Sequence, residues 1–348
     1  MLSRVAERVY WLGRYLERIE NTARLINVYG NVLLDLPRPA KLVWESLVAI
    51  TGSQETFGER YSRADERNVV KFYLADRSNP TSVLNSATYA RENARTVREI
   101  VPANTWEAVN DLFLYIHDNV EGALARRGRD VFLTHVINSC QFVIGSLAGT
   151  MSRDAAYQFL RAGRYLERGD MTSRIVDVGA ANVFPWVSWM HGGEVPEGAQ
   201  SPYESILWMS VLRSLSALQM YRRLVPVRVR ADEVVTFLLQ DEAFPRAIAH
   251  CLKAVQSSLD ALPRDAVPVA KTLSVLRRVR EANVRIVLQK DGLYDFIDQL
   301  QVEFSGLHDA IEETWFLPDS TLATAPVVGE HHQTRQQKST STGSAKAS

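Results

Sequence analysis

Apolar residues return at intervals of three and four along almost the whole chain. In the first segment Leu12, Tyr15, Leu16, Ile19, Ala23 and Ile26 fall on one side, the spacing of an amphipathic helix with its 3.6-residue turn. The same rhythm predicts helices near 41–58, 81–100, 104–126, 130–150, 154–178, 203–224, 245–262, 266–288 and 291–316. Two short apolar runs, Val69–Leu74 and Val234–Leu239, also read as helical. Each is followed by an acidic residue and a proline, Asp76 with Pro80 and Asp241 with Pro245, an order that suits a helix end, a turn and a proline at the next helix start. The expected fold class is all-α, a helical bundle.

The pattern occurs twice. Residues 13–28 read GRYLERIENTARLINV and residues 163–178 read GRYLERGDMTSRIVDV, an offset of 163 minus 13, or 150. VVKFYLADRSNP at 69–80 is answered by VVTFLLQDEAFP at 234–245, an offset of 165, and Trp44 aligns with Trp208 between them. Matches in one order at about one unit length point to a tandem duplication. The expected organisation is a pseudo-twofold pair of repeats, 1–152 and 153–318, followed by a disordered tail at 319–348 rich in Ser, Thr, Gln and Ala. His331 and His332 fall in that tail, where two adjacent ligands do not close a metal site. The second copy is longer by 165 minus 150, or 15 residues. A loop at 179–202 would hold them and would carry Trp186 and Trp189, either as a lid or docking surface or simply packed down.

Opposite the apolar stripe of the first helix lie Arg14, Glu17, Arg18, Asn21 and Arg24. The second copy repeats Arg164, Glu167, Arg168 and Arg174, with Met171 for Asn21 and Asp170 for Glu20. Helical salt bridging at three- and four-residue spacing contributes only a few tenths of a kcal/mol per pair. An identical block amid divergent surroundings suggests a stronger constraint, and a buried ion-pair network between repeats would supply one. A second cluster, Arg91, Glu92, Asn93, Arg95 and Arg98, is absent from the other copy, where offset 165 finds Gln256, Ser257, Ser258, Asp260 and Pro263. Guanidinium forks there suit carboxylate or phosphate partners, and Glu17 and Glu92 are positioned to hold arginines or an amine.

Charge and composition narrow the classes. Lys plus Arg and Asp plus Glu are both 40, so no net field attracts nucleic acid or an anionic membrane. The basic runs Arg222, Arg223, Arg228, Arg230 and Arg277, Arg278, Arg280 read as solvated helix faces. Only Cys140 and Cys251 occur, without a CxxC pair, so neither a disulfide framework nor a zinc site is expected and a reducing cytoplasm fits. Arg4, Glu7 and Arg8 interrupt any signal-peptide run, and no stretch reads as a membrane span. Phosphate-loop, GxSxG, HExxH and paired Glu-x-x-His patterns are missing, so no metal or cofactor is expected. Asp291, Asp295 and Asp298 give half of a magnesium-diphosphate arrangement without its second half, and His117, His135, His250 and His308 have no local partner pattern.

The opening MLSRVAERVYWLGRYLERIENTAR, together with FYLADRSNPTSVLNSATYARENARTVRE, resembles the bacterial alpha-E family over residues 1 to about 318. The string from Trp11, Leu12, Gly13, Arg14 and Tyr15 to Glu17 and Arg18 carries the likeness. The resemblance implies a place beside a circularly permuted ATP-grasp protein and a transglutaminase-like cysteine peptidase, hence a peptide synthesis or modification system. It places the family motif on Glu7, Arg14, Glu17, Arg18, Asn21, Arg24, Asn79, Pro80, Arg91, Glu92, Asn93 and Arg95. Three readings follow. The first is a non-catalytic partner that binds an ATP-grasp ligase or its peptide through the Arg-Glu face, Arg164, Glu167 and Arg168 included. The second is an enzyme on a peptide or amino acid with Glu17 or Glu92 as general base. The third is a purely structural clasp between repeats.

Overall fold

A computed structural model describes residues 2–35, 44, 45, 47, 48, 51–190, 204–226, 228–289 and 292–317; side chains of 31–35 and 178–190 lie outside that description. Among the described residues the regular structure is entirely helical. The first half runs α1 (Ser3–Asp35), α2 (Gln54–Gly58), α3 (Glu66–Leu74), α4 (Val83–Thr96), α5 (Ala103–Asn119) and α6 (Arg126–Thr150). The second runs α7 (Ala155–Met190), α8 (Glu204–Ser214), α9 (Leu218–Leu224), α10 (Ala231–Gln240), α11 (Ile248–Leu259), α12 (Ala266–Glu281), α13 (Val284–Val287) and α14 (Gly292–Trp315). Residues Met1–Leu317 cluster as one compact unit. The expected tail, with His331 and His332, lies outside the described residues, as does Asp291.

Both ambiguous runs are helices, α3 and α10, and the punctuation after them has a cause. Asp76 Oδ1 accepts from the Ser78 amide at 2.8 Å, and Asp241 Oδ1 accepts from the Ala243 and Phe244 amides at 2.8 and 2.6 Å. Each carboxylate thus ends its helix by turning the chain. Pro80 and Pro245 sit in these turns, two residues ahead of the N-cap positions Ser82 and Ala247, rather than at the helix starts the sequence predicts. Ser82 caps α4 by accepting from the Asn85 amide, and Asp65 caps α3 from the Asn68 amide.

Three expectations are corrected. The helix predicted over 203–224 breaks between α8 and α9, where Ser216 adopts a left-handed φ of 52°. The one predicted over 266–288 breaks at Asn283, whose side chain caps α13. The stretch expected to be a loop from 179 is helical as far as Met190, because α7 continues through it; 191–203 and the Trp186 and Trp189 rings lie outside the description. A fourth concerns the membrane. Helix α6, Arg126–Thr150, is long and apolar enough to span one, with a mean hydropathy of 1.5 over its best window, of which 39% is buried within the bundle. A core helix passes the same test, and α6 packs on α1 and α5.

The bundle is organised around α1 and α7, which lie against each other. Helices α4 and α6 flank α1, while α8, α11 and α14 flank α7. Leu12, Leu16, Ile19, Ala23 and Ile26 are buried, as the apolar stripe requires, in a core that continues through Leu166, Ile175, Val176, Leu252 and Phe304. The opposite face of α1 is not solvated either. Glu17, Glu20 and Asn21 are buried on it, and this ionic face meets α7.

Candidate functional site

The two helices meet at their glycines. A Cβ built on Gly13 would lie closer than 3.0 Å to the Leu160 carbonyl oxygen, and one on Gly163 would do the same to the Tyr10 carbonyl oxygen. The contact is reciprocal, since 163 minus 13 and 160 minus 10 are both 150. Backbones this near leave no room for a side chain at either point.

The ionic side chains then cross. Arg14 Nε donates to Glu167 Oε2 at 2.7 Å, and Arg18 donates from Nε to Oε1 at 2.6 Å and from Nη2 to Oε2 at 3.0 Å. In return Arg168 donates from Nε and Nη2 to Glu17 at 2.7 and 2.6 Å, and Arg164 Nε reaches Glu17 Oε2 at 3.3 Å. Each glutamate is held by the arginines of the other helix. The motif helices therefore contact each other through the very residues they share. Helical geometry explains why one block does this: Arg14, Glu17 and Arg18 lie within about one turn, so a single crossing presents all three to the mirrored set.

A further arginine completes the cluster. Arg246, in the turn after Pro245, donates to Glu17 Oε1 at 3.1 Å, Asn21 Oδ1 at 2.6 Å and Glu20 Oε1 at 2.7 Å. Glu20 also accepts from Arg24, which bonds the Ser216 hydroxyl at 2.7 Å, and Asn21 donates to Glu17 at 3.1 Å. Asp170 pairs with Arg174 at 3.0 Å. Sequence reasoning passed over Arg246 because no motif contains it. The available signal was a lone arginine in the otherwise apolar stretch AFPRAIA.

Electrostatics follow from this packing. Burial works against the Glu17 carboxylate, but Arg168 and Arg246, with Arg164, outweigh it and hold the group well below the usual range. Burial opposes Glu167 likewise, and Arg18 and Arg14 bring it down to about 2. Both stay ionised. Glu17 has 0% of its surface exposed, so it is neither reachable nor basic enough to take a proton from a substrate. That environment disfavours Glu17 as the general base that the sequence offered as one alternative.

The second predicted cluster stands apart, on the rim formed by α1 and α4. Arg8 Nη1 donates to the buried Asn93 Oδ1 at 3.0 Å. Arg91 bonds Asn110 at 2.8 Å, and Glu92, with 44% of its side chain exposed, pairs with Arg95 at 2.9 Å and Arg91 at 3.4 Å. Glu7 is half-buried on the same end of α1. Beside this rim runs an aromatic row, with Trp11 stacked on Tyr15 at 5.3 Å and Tyr15 against Tyr89 at 5.3 Å. His308 packs edge-on to Trp11, its Nδ1 3.0 Å from the Tyr10 hydroxyl, and burial together with Arg14 lowers it to about 4. Asn79 belongs to neither cluster. It is buried in the turn after α3, donating to the Phe72 carbonyl at 3.0 Å and accepting from the Thr81 amide at 2.9 Å.

An all-helical domain centred on crossed Glu-Arg helices is the class these features define. The family profile Alpha-E, described as a predicted alpha-helical domain with a conserved ER motif, matches residues 1–316, and the chain belongs to that family. An uncharacterized protein of Mycobacterium bovis is 23% identical over 278 residues, covering 75% of this chain and 30% of the relative. Two uncharacterized Mycobacterium tuberculosis proteins match over the same length at 23% and 22% identity. The chain thus spans about a third of the length of these curated relatives. No solved structure matches it.

Proposed function

We propose that this domain is a non-catalytic helical partner in a peptide synthesis or modification system, working with an ATP-grasp ligase and a transglutaminase-like protein in the cytoplasm. Its repeated Glu-Arg block is a structural clasp between two tandem, pseudo-twofold repeats. The observation that carries this reading is the consumption of the motif's charge by the motif itself: Arg14 and Arg18 take Glu167, while Arg164 and Arg168 take Glu17. Binding then falls to the accessible rim, where Glu7, Arg91, Glu92 and Arg95 border Trp11, Tyr15 and Tyr89. Support for a module that acts with an attached or associated protein comes from the relatives, which carry the same domain within much longer chains.

Co-purification with the ATP-grasp and transglutaminase-like proteins tests it. Glu92→Ala with Arg95→Ala should abolish capture without altering thermal stability, whereas Arg18→Ala should lower stability. Retention of the partner by the Glu92→Ala, Arg95→Ala double variant would refute the assignment of the rim. Peptide turnover by the purified chain that is lost in Glu92→Gln would favour the enzymatic alternative.

A further inference from the structure

The two sides of the crossing are not balanced alike. On the α1 side Arg14 and Arg18 share Glu167, which has no other arginine partner among the described residues. On the α7 side the guanidinium carbons of Arg161, Arg164 and Arg168 lie 5.3, 5.5 and 5.3 Å from the centre of the Tyr165 ring. These positions share one stripe of α7, from which Arg161 reaches α11 while Arg164 and Arg168 reach α1. The carboxylate that Arg164 and Arg168 reach is Glu17, already occupied by Nε and Nη2 of Arg168 and by Arg246.

Arg164 reaches Glu17 only through Nε, leaving its two Nη groups without a hydrogen bond to a described residue. Arg161 has no carboxylate at all among the described residues; it donates to the Ala254 carbonyl and the Ser258 hydroxyl, both at 2.8 Å. Its counterpart at offset 150 is Trp11, so the extra cation belongs to this side alone. Burial and the neighbouring Arg168 pull the proton affinity of Arg164 down, the direction expected where positive charge outruns its counter-charge. From α11 His250 sets its ring 5.8 Å from that of Tyr165, with Nδ1 committed to the Glu242 carbonyl at 2.8 Å. Its Nε2 and the Tyr165 hydroxyl have no hydrogen bond to a described residue, and both residues are half-buried.

We infer that the half-buried face where α7 meets α11, formed by Arg161, Arg164, Tyr165 and His250, is an oxyanion site that takes a carboxylate or phosphate group. Forked guanidinium donors match either group, and a partly exposed face with surplus positive charge gains from an anion what it lacks from its own side chains. The inference adds a second site to the partner reading, apart from the rim, and rests on that reading for the source of the anion, an acidic peptide.

Calorimetric titration of the full chain at low chloride, with N-acetyl-triglutamate and with inorganic phosphate as probes, tests the site. Saturable binding is expected, weakened about tenfold or more by Arg161→Gln and by Arg164→Gln and unaltered by Arg277→Gln on the exposed side of α12. Tighter binding of the triglutamate assigns the site to peptide carboxylates, and tighter binding of phosphate assigns it to phosphate esters. Because Arg164→Gln also touches the clasp, Tyr165→Phe and the displacement of the His250 ring signals by the probe in wild-type protein provide readouts independent of folding. No saturable binding of either probe, or equal affinities for wild type and Arg161→Gln, overturns the site. Partner capture that persists when neither probe binds would remove this inference and leave the partner reading intact.

Discussion

Replacing Glu17 by glutamine keeps the size of the side chain and removes the charge on which Arg168, Arg246 and Arg164 converge. The glutamate has no exposed surface, and its Arg168 contacts are bidentate at 2.7 and 2.6 Å. Removing one partner of such a buried pair costs about 3–5 kcal/mol, because the remaining charges stay buried without compensation. With roughly 2.1 cal/mol/K of unfolding entropy per residue near the melting point, a 317-residue unit loses about 1.5 °C per kcal/mol. Glu17→Gln should therefore melt about 4–8 °C below wild type by calorimetry. Glu92→Gln, which breaks a pair open to solvent, should shift the midpoint by no more than about 1.5 °C. Pairing Glu17→Gln with Arg168→Met should recover part of the loss, since the cycle removes both ends of the contact. Equal melting points for Glu17→Gln and Glu92→Gln would refute the clasp.

Gly13→Ala and Gly163→Ala each push a methyl into a carbonyl of the opposing helix; each should cost at least about 1–3 kcal/mol in urea unfolding, whereas Gly145→Ala, which meets open space, should be neutral or stabilising. Glu167 has its folded value lowered from 4.5 to about 2, so its stabilising contribution is present above pH 4.5 and fades as pH falls toward 2. Melting at pH 7 and pH 3 should show a smaller acid-induced drop for Glu167→Gln than for wild type. Both cysteines are buried, and burial raises Cys140 well above its ordinary value and Cys251 to about 12. Mass spectrometry after iodoacetamide treatment at pH 8 should find them alkylated in urea and unmodified in the folded chain.

The helices were legible because burial writes its period into the sequence, and Leu12, Leu16, Ile19 and Ile26 are buried where the stripe puts them. The ionic clasp was legible as a possibility, since GRYLER occurs twice; which glutamate meets which arginine depends on the crossing point, a tertiary property. Gly13 and Gly163 stood inside the repeated block, yet periodicity says nothing about how closely two backbones approach. The same limit applies to Arg246, brought to Glu17 from 229 positions along the chain, and to the break at Ser216, where a backbone in the left-handed region interrupts an unbroken apolar rhythm. Asn79 shows a different limit. It lies within the motif that the family likeness supplied, but its hydrogen bonds end within the local turn.

The mutual grip of Glu17 and Glu167 has a bearing on how this chain tolerates change. An arginine lost from either helix strands an acid on the other, so a repair has to come from the far side of the interface, 147 to 153 residues away. Neither helix is free to drift by itself. Either helix without the other would bury, or turn outward, a glutamate without the cross-helix arginines that hold it.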